Sequence, residues 1–420
     1  MSLSRKILSK KLGGKKLSAG EFIQADVDVI LSNDITTPLA IDAFEKDPSS
    51  SIAYPERVVI VADHFTPNKD INSAQQVKKV RDFARKHGLK FFDAGCGIEH
   101  VLLPEQGLVV PNDIVVGADS HTVTYGALGA FATGMGSTDI AAAWLTGKSW
   151  FKVPAAVKVV LKGKVNEYVS GKDIILYFIS KIGVDGALYK SIEFTGEGLS
   201  ELSIDSRFTV ANMIIECGAK NAVMDVDSKV IEYVEKRAQR PYSPPGKDYS
   251  IETDEDFEEL MEIDCSGITP QVALNGSPAN SVPVKGMEKI KLDQVVIGSC
   301  TNGRWDDYKK AAAVIKGREA ARGLRFIVIP STAGLHKRMV REGLAEVFLN
   351  AGAIISPPTC GPCLGGHMGI LASGEKALAT TNRNFTGRMG HRNSEVYLSN
   401  PEVAAASAIR GYISSPEELS

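Results

Sequence analysis

The sequence predicts an α/β protein of three domains with mainly parallel sheets, and three observations predict it. Short β-rich runs alternate with amphipathic helical stretches, the signature of strand–helix–strand units. A length of 420 residues exceeds what one hydrophobic core supports. The rhythm breaks near Pro154 and again across 241–286, which divides the chain into 1–153, 154–270 and 291–420, with a linker at 271–290.

The elements follow in order. Ile7, Leu8 and Leu12 form a short helical stripe that Gly13-Gly14 ends. This segment is basic and lacks an acid before Glu21, as transit peptides do, but the stripe suits a structural helix better. Strands are expected at 58–62, 90–92 and 114–116, with helices at 73–87 and 137–144. The second part reads as a strand at 157–165 and helices at 173–181 and 203–217. The stretch 241–286 holds six of the 19 prolines, and its acidic run 252–264 reads as a solvated face. Strands at 294–297, 325–329 and 353–355 then alternate with helices at 305–315, up to about 350, and 403–413. The first and third parts share one rhythm.

With 48 basic and 50 acidic side chains the formal charge is −2, so no global field recruits nucleic acid or an anionic membrane. No apolar run has the length of a transmembrane helix. Six cysteines are too sparse for a disulfide framework and suit a reducing, cytoplasmic setting.

Three of those cysteines stand apart. Cys300 lies in Gly298-Ser299-Cys300-Thr301-Asn302-Gly303-Arg304, a loop between a strand and a helix, where ligand sites in parallel sheets collect. Cys360-Gly361-Pro362-Cys363 follows another strand, and its rigid loop presents two thiolates to one centre. Buried structural thiols would not need so much Pro and Gly, and a redox pair would leave Cys300 unused. Zinc in a Cys₃His set with His367, or a cubane with three protein thiolates and one open iron, both fit the spacing. Acids adjoin histidines in Asp63-His64, in Glu99-His100 (expected in a short loop) and in Asp119-Ser120-His121. A neighbouring carboxylate fixes an imidazole tautomer and stabilises its protonated form, which suits acid–base work. Asn382, Arg383 and Arg388 share a loop after a strand, where two guanidinium forks can bind carboxylates. The Gly-rich stretch 126–136 lacks the third glycine of a dinucleotide fingerprint and instead lets backbone pack close to the site.

Together these motifs resemble the aconitase superfamily, in its order and spacing and over almost the whole chain. The resemblance implies three aconitase-like α/β domains around a central 4Fe–4S cluster, held by Cys300, Cys360 and Cys363 with one iron free of cysteine. It implies a hydro-lyase in which Asp63 and His64 help a hydroxyl leave, His100 pairs with Asp119, and His121 pairs with Glu216. Ser120 belongs to the same catalytic set. Asn212, on one helical face with Glu216, and Asn382, Arg383 and Arg388 match residues that contact the cluster or the substrate carboxylates. Cys96, Cys217 and Cys265 are then structural. One-chain aconitases carry a fourth domain with a serine base, which implies a separate small subunit here. Pro38, within 34–40, stands where aconitases use glutamine; this favours a small hydroxy-dicarboxylate of the malate type over citrate. The nearest branch is the large subunits of two-chain dehydratases of alkylated malates, with homoaconitase second. A zinc- or iron-responsive binding protein on this scaffold would not need the Asp–His sets.

Overall fold

The computed structural model describes residues 1–246, 249–251 and 254–419. Four sheets organise them. In the first, Lys90–Phe92, Val58–Val61, Val29–Asn33, Ile114–Gly117 and Phe131–Gly134 lie side by side in that order, all parallel. Val58–Val61 is a run of four buried aliphatic residues, as expected of a strand covered on both faces. A four-stranded parallel sheet joins Asn221–Met224, Ser191–Thr195, Ala156–Lys162 and Glu259–Asp264. The largest, of seven strands, has a parallel portion ordered Glu395–Ser399, Lys376–Ala379, Gln294–Gly298, Arg325–Ile329 and Ile354–Ile355. A two-stranded antiparallel ribbon pairs Phe22–Asp26 with Lys148–Lys152.

The first sheet and the parallel part of the seven-stranded sheet share one topology. Counted in chain order, each runs 3-2-1-4-5, so each has a switch point beside its first strand. Ligands in open parallel sheets bind at the carboxyl ends of the strands flanking that point. In the first sheet those ends lead to Asp34 and Asp119; in the larger sheet they lead to Cys300 and Asn382. The shared rhythm of the first and third parts thus has a structural basis.

Several expectations need correction. The linker at 271–290 carries two strands that extend the seven-stranded sheet: Gln271–Ala273 pairs antiparallel with Glu395–Ser399, and Ser281–Pro283 pairs antiparallel with Gln271–Ala273 at the sheet's edge. Three-residue strands are too short to show a periodicity. The acidic run 252–264 is partly an edge strand, Glu259–Asp264, whose charges face solvent; its first two residues, Glu252 and Thr253, lie outside the described residues. Glu99 and His100 open a helix, Glu99–Glu105, instead of sitting in a loop. The helix up to about 350 is two helices, Ala333–Arg341 and Leu344–Asn350, parted at Gly343 with φ +77°.

The basic N-terminal segment folds as Leu3–Lys11, with Leu3, Ile7 and Leu8 buried. The buried carboxylate of Glu193 accepts from the backbone N–H of Leu3 (2.7 Å) and Ser4 (2.9 Å), and anions are favoured at a helix N-terminus. No helix among the described residues is long and apolar enough to cross a membrane.

Candidate functional site

The carboxyl ends of both switch points converge on one buried cavity. Asp63, His64, Glu99, His100, Asp119 and His121 line it from the first sheet's side, and Cys300, Cys360, Cys363, Asn382, Arg383 and Arg388 from the other. Ser120, Asn212 and Glu216 stand behind this lining and hydrogen-bond to Arg383, Cys300 and His121 respectively.

Loop geometry delivers the cysteines. Ser299 holds a left-handed backbone (φ +98°), an uncommon state for a non-glycine residue and one that clusters at functional sites. Its carbonyl accepts from Ser331 Oγ at 2.8 Å, which fixes the bend before Cys300. The Cys360–Cys363 loop is fastened to the other sheet, since Cys360 N and Thr359 Oγ1 donate to the carbonyl of Asp63 at 2.7 and 3.1 Å. Gly361 makes that approach possible: a Cβ there would lie 3.0 Å from the His64 carbonyl oxygen and 2.6 Å from a His367 ring carbon.

The three thiols are buried. Asn212 and Asn382 each aim an amide N–H at Cys300 Sγ, at 3.4 Å. Burial pushes the Cys300 thiol up to about 12, whereas hydrogen bonding from Cys360 lowers Cys363 to about 5 and raises Cys360 in turn. Amide donors converging on sulfur, with thiols from two loops around one cavity, fit a centre ligated by three thiolates. The zinc set is not assembled: His367 directs Nε2 to the Thr66 carbonyl at 3.1 Å and does not line the cavity. Cys96, Cys217 and Cys265 lie outside the cavity lining as well.

The acid–base groups form a connected array. Asp34 accepts from the backbone N–H of Asp63 (3.0 Å), His64 (2.9 Å) and Phe65 (2.8 Å), which shapes the turn after the strand. Asp63 Oδ1 holds His64 Nδ1 at 2.6 Å, and its other oxygen accepts from Glu99 N at 2.7 Å. Burial works against the charged imidazole, but Asp63, Asp34 and Glu99 together raise the His64 pKa well above the usual value. His64 Nε2 lies 3.7 Å from Asp119.

Asp119 Oδ1 pairs with His100 Nε2 at 2.9 Å and accepts from His121 N at 2.7 Å. Burial opposes its ionisation, yet these bonds hold Asp119 well below the usual carboxylate range; burial lowers His100. His121 Nε2 meets Glu216 Oε1 at 3.1 Å, and Arg383 Nε donates to the same oxygen at 2.7 Å. Despite burial, Asp119 and Glu216 raise the His121 pKa. Arg388 Nε donates to the Cys363 carbonyl at 3.1 Å.

Two members of this network, Asp34 and Glu99, had no role of their own assigned from the sequence. Asp34 was visible only as part of a substrate loop, although it organises the Asp63–His64 turn. Glu99 adjoins His100 in the sequence, and burial followed by Asp63 and Asp119 raises its carboxyl well above the usual range. Outside the array, the buried Lys172, whose Nζ donates to the Thr380 carbonyl at 3.1 Å, gave no local signal at all.

The twin switch points and the cavity between them define an aconitase-type protein, and the chain belongs to the Aconitase family: the family model (aconitate hydratase) matches residues 5–289 and 285–411. Membership implies an iron–sulfur cluster and a hydro-lyase. The chain is 58% identical to the 3-isopropylmalate dehydratase large subunit of Caldicellulosiruptor saccharolyticus, over 100% of this chain and 97% of that protein. It is 56% identical to the protein of the same name from Acetivibrio thermocellus, over the full length of both. It is likewise 56% identical to that from Clostridium kluyveri, over 100% and 99%. Among solved structures, Thermococcus kodakaraensis aconitase X (holo-form) aligns with a TM-score of 0.50 at 13% identity, over 91% of this chain and 89% of that one; this likeness concerns the fold alone.

Proposed function

We propose that this chain is the cluster-bearing large subunit of a 3-isopropylmalate dehydratase, a cytoplasmic enzyme of leucine biosynthesis. It interconverts 2-isopropylmalate and 3-isopropylmalate by dehydration and rehydration. The observation that carries the reading is one cavity lined by three thiols, by histidines paired to carboxylates, and by two arginines. The names of relatives up to 58% identical over the whole chain support the substrate.

Cys300, Cys360 and Cys363 would hold a 4Fe–4S cluster, which when bound would supply a Lewis acid for the departing hydroxyl. Asn212 and Asn382 donate to Cys300 Sγ and stabilise its negative charge. Arg383 and Arg388 bind the substrate carboxylates through the nitrogens not already engaged, and Ser120 keeps Arg383 in place. Asp63 fixes the His64 tautomer, so that protonated His64 gives its Nε2 proton to the departing hydroxyl. Asp119, held by His100, steadies that acid from the opposite side. His121 and Glu216 keep Arg383 oriented toward the charge that develops on a carboxylate as the α-proton leaves. The relatives' designation as large subunits supports a separate small subunit, to which the proton-abstracting base belongs.

The test is a substrate panel for the anaerobically reconstituted chain with its small subunit. Turnover should be highest on 3-isopropylmalate, with homocitrate and citrate far behind. Preference for homocitrate would move the assignment to homoaconitase.

A further inference from the structure

Lys172 is wholly buried (0% exposed) in the first turn of the helix Gly171–Ile182, the end at which a cation opposes the helix dipole. Its Nζ donates to the carbonyl oxygens of Thr380 (3.1 Å) and Thr381 and to Asn302 Oδ1 (3.4 Å). All three acceptors are neutral: an amide oxygen and two backbone carbonyls.

The two acids that act on it electrostatically, Asp307 and Asp173, are engaged by other donors. Asp307 accepts from Arg304 N (2.9 Å) and Asn302 Nδ2 (3.0 Å), and burial pushes its carboxyl up to about 7. Asp173 accepts from Ser170 N, Gln271 N and Asn400 Nδ2 at 2.8–3.1 Å. Burial pulls Lys172 down to about 7 against the opposing influence of Asp307, Cys363, Asp173 and Cys300. A buried ammonium with neutral partners is costly unless negative charge gathers nearby. The groups it holds point to where that charge is. Thr380 and Thr381 directly precede Asn382 and Arg383, and Asn302 lies two residues after Cys300. One side chain, from a helix of another sheet, thus ties both strand ends of the cysteine-side switch point.

We propose that Lys172 is a positioning and charge-compensating residue of the centre: it fixes the turns bearing Cys300 and Asn382–Arg383 and offsets the negative charge that three thiolates gather in a dry site. This rests on the cluster reading above. With the negative charge of the centre beside it Lys172 is held as an ammonium, and a positive charge there favours the more negative, reduced form of a buried cluster, so its removal should lower the reduction potential.

The experiment is an EPR-monitored redox titration of the full chain, reconstituted anaerobically, as wild type, Lys172→Met and Lys172→Arg. Lys172→Met should load iron and sulfide yet titrate at a more negative potential, and Lys172→Arg should return toward the wild-type value. An unmoved potential in a fully loaded Lys172→Met overturns the proposal alone, as does an equal shift in Lys172→Arg. If Lys172→Met does not fold, Lys172→Gln keeps a donor without the charge and takes its place. Failure of both to fold as cluster-free protein would assign Lys172 to structure and overturn the proposal. A wild type that takes up no iron and sulfide overturns the cluster reading, and this proposal with it.

Discussion

Cysteine chemistry separates the six thiols by position. Cys300, Cys360 and Cys363 face one cavity, whereas Cys217 is packed in the core with its Sγ against the Ile214 carbonyl at 2.9 Å. Serine at 300, 360 or 363 is therefore expected to abolish a stable cluster, measured as iron and sulfide per chain, while serine at 96, 217 or 265 leaves the content unchanged. The histidines act differently. His64→Ala and His121→Ala should keep the cluster and lose about 100-fold or more in turnover, within the range of a general acid–base group. Near-wild-type rates in both would return these histidines to a structural role. The pH profile carries a sign. His64 has a raised pKa because Asp63, Asp34 and Glu99 outweigh burial, so it keeps its proton to higher pH than an ordinary imidazole does. Activity should fall on the alkaline side, and Asp63→Asn should move the alkaline limb of kcat/KM to lower pH. A limb that does not move would remove His64 from the role of acid.

At the scale of elements, the site depends on close backbone approach. Gly126 belongs to the one-turn-after-another segment Ser120–Leu128 that follows the Asp119 strand end, and a Cβ there would sit 1.9 Å from the Ala222 carbonyl oxygen. Gly126→Ala should cost about 1–3 kcal/mol or more, as overpacking against backbone does, read as a lowered midpoint in denaturant unfolding. A neutral result would mean that this segment shifts freely against the Asn221–Met224 strand. The Gly-rich stretch was legible as a place of close packing, because such glycines announce themselves in a sequence. The long strands and helices were legible too, since Val58–Val61 and Ile71–His87 carry unbroken patterns. Gln271–Ala273 and Ser281–Pro283 were not, because both are too short for periodicity and the pair joins the sheet only through Glu395–Ser399, more than a hundred residues away.

On the scale of the whole molecule, the same limit decides what the sequence conceals. Motif residues such as Asp63-His64 and Cys360–Cys363 are visible because their chemistry is local. Asp34 and Lys172 acquire their roles through burial and through contacts between distant segments, and a linear pattern carries no trace of that; Glu99 is visible beside His100, but its burial is not. The pairing of two 3-2-1-4-5 sheets is what brings thiols and histidines from distant segments to one cavity. Under the function proposed here that cavity supplies the proton donor, the carboxylate binders and the ligand set, and the proton acceptor comes from the small subunit. The most direct measurement is alkene formation from 3-isopropylmalate by the anaerobically loaded chain, before and after its small subunit is added. No alkene is expected from the chain alone, although substrate should perturb the cluster spectrum, and turnover is expected once the small subunit is present. Sustained alkene formation by the lone chain, or none from a fully loaded complex, would contradict the proposed function.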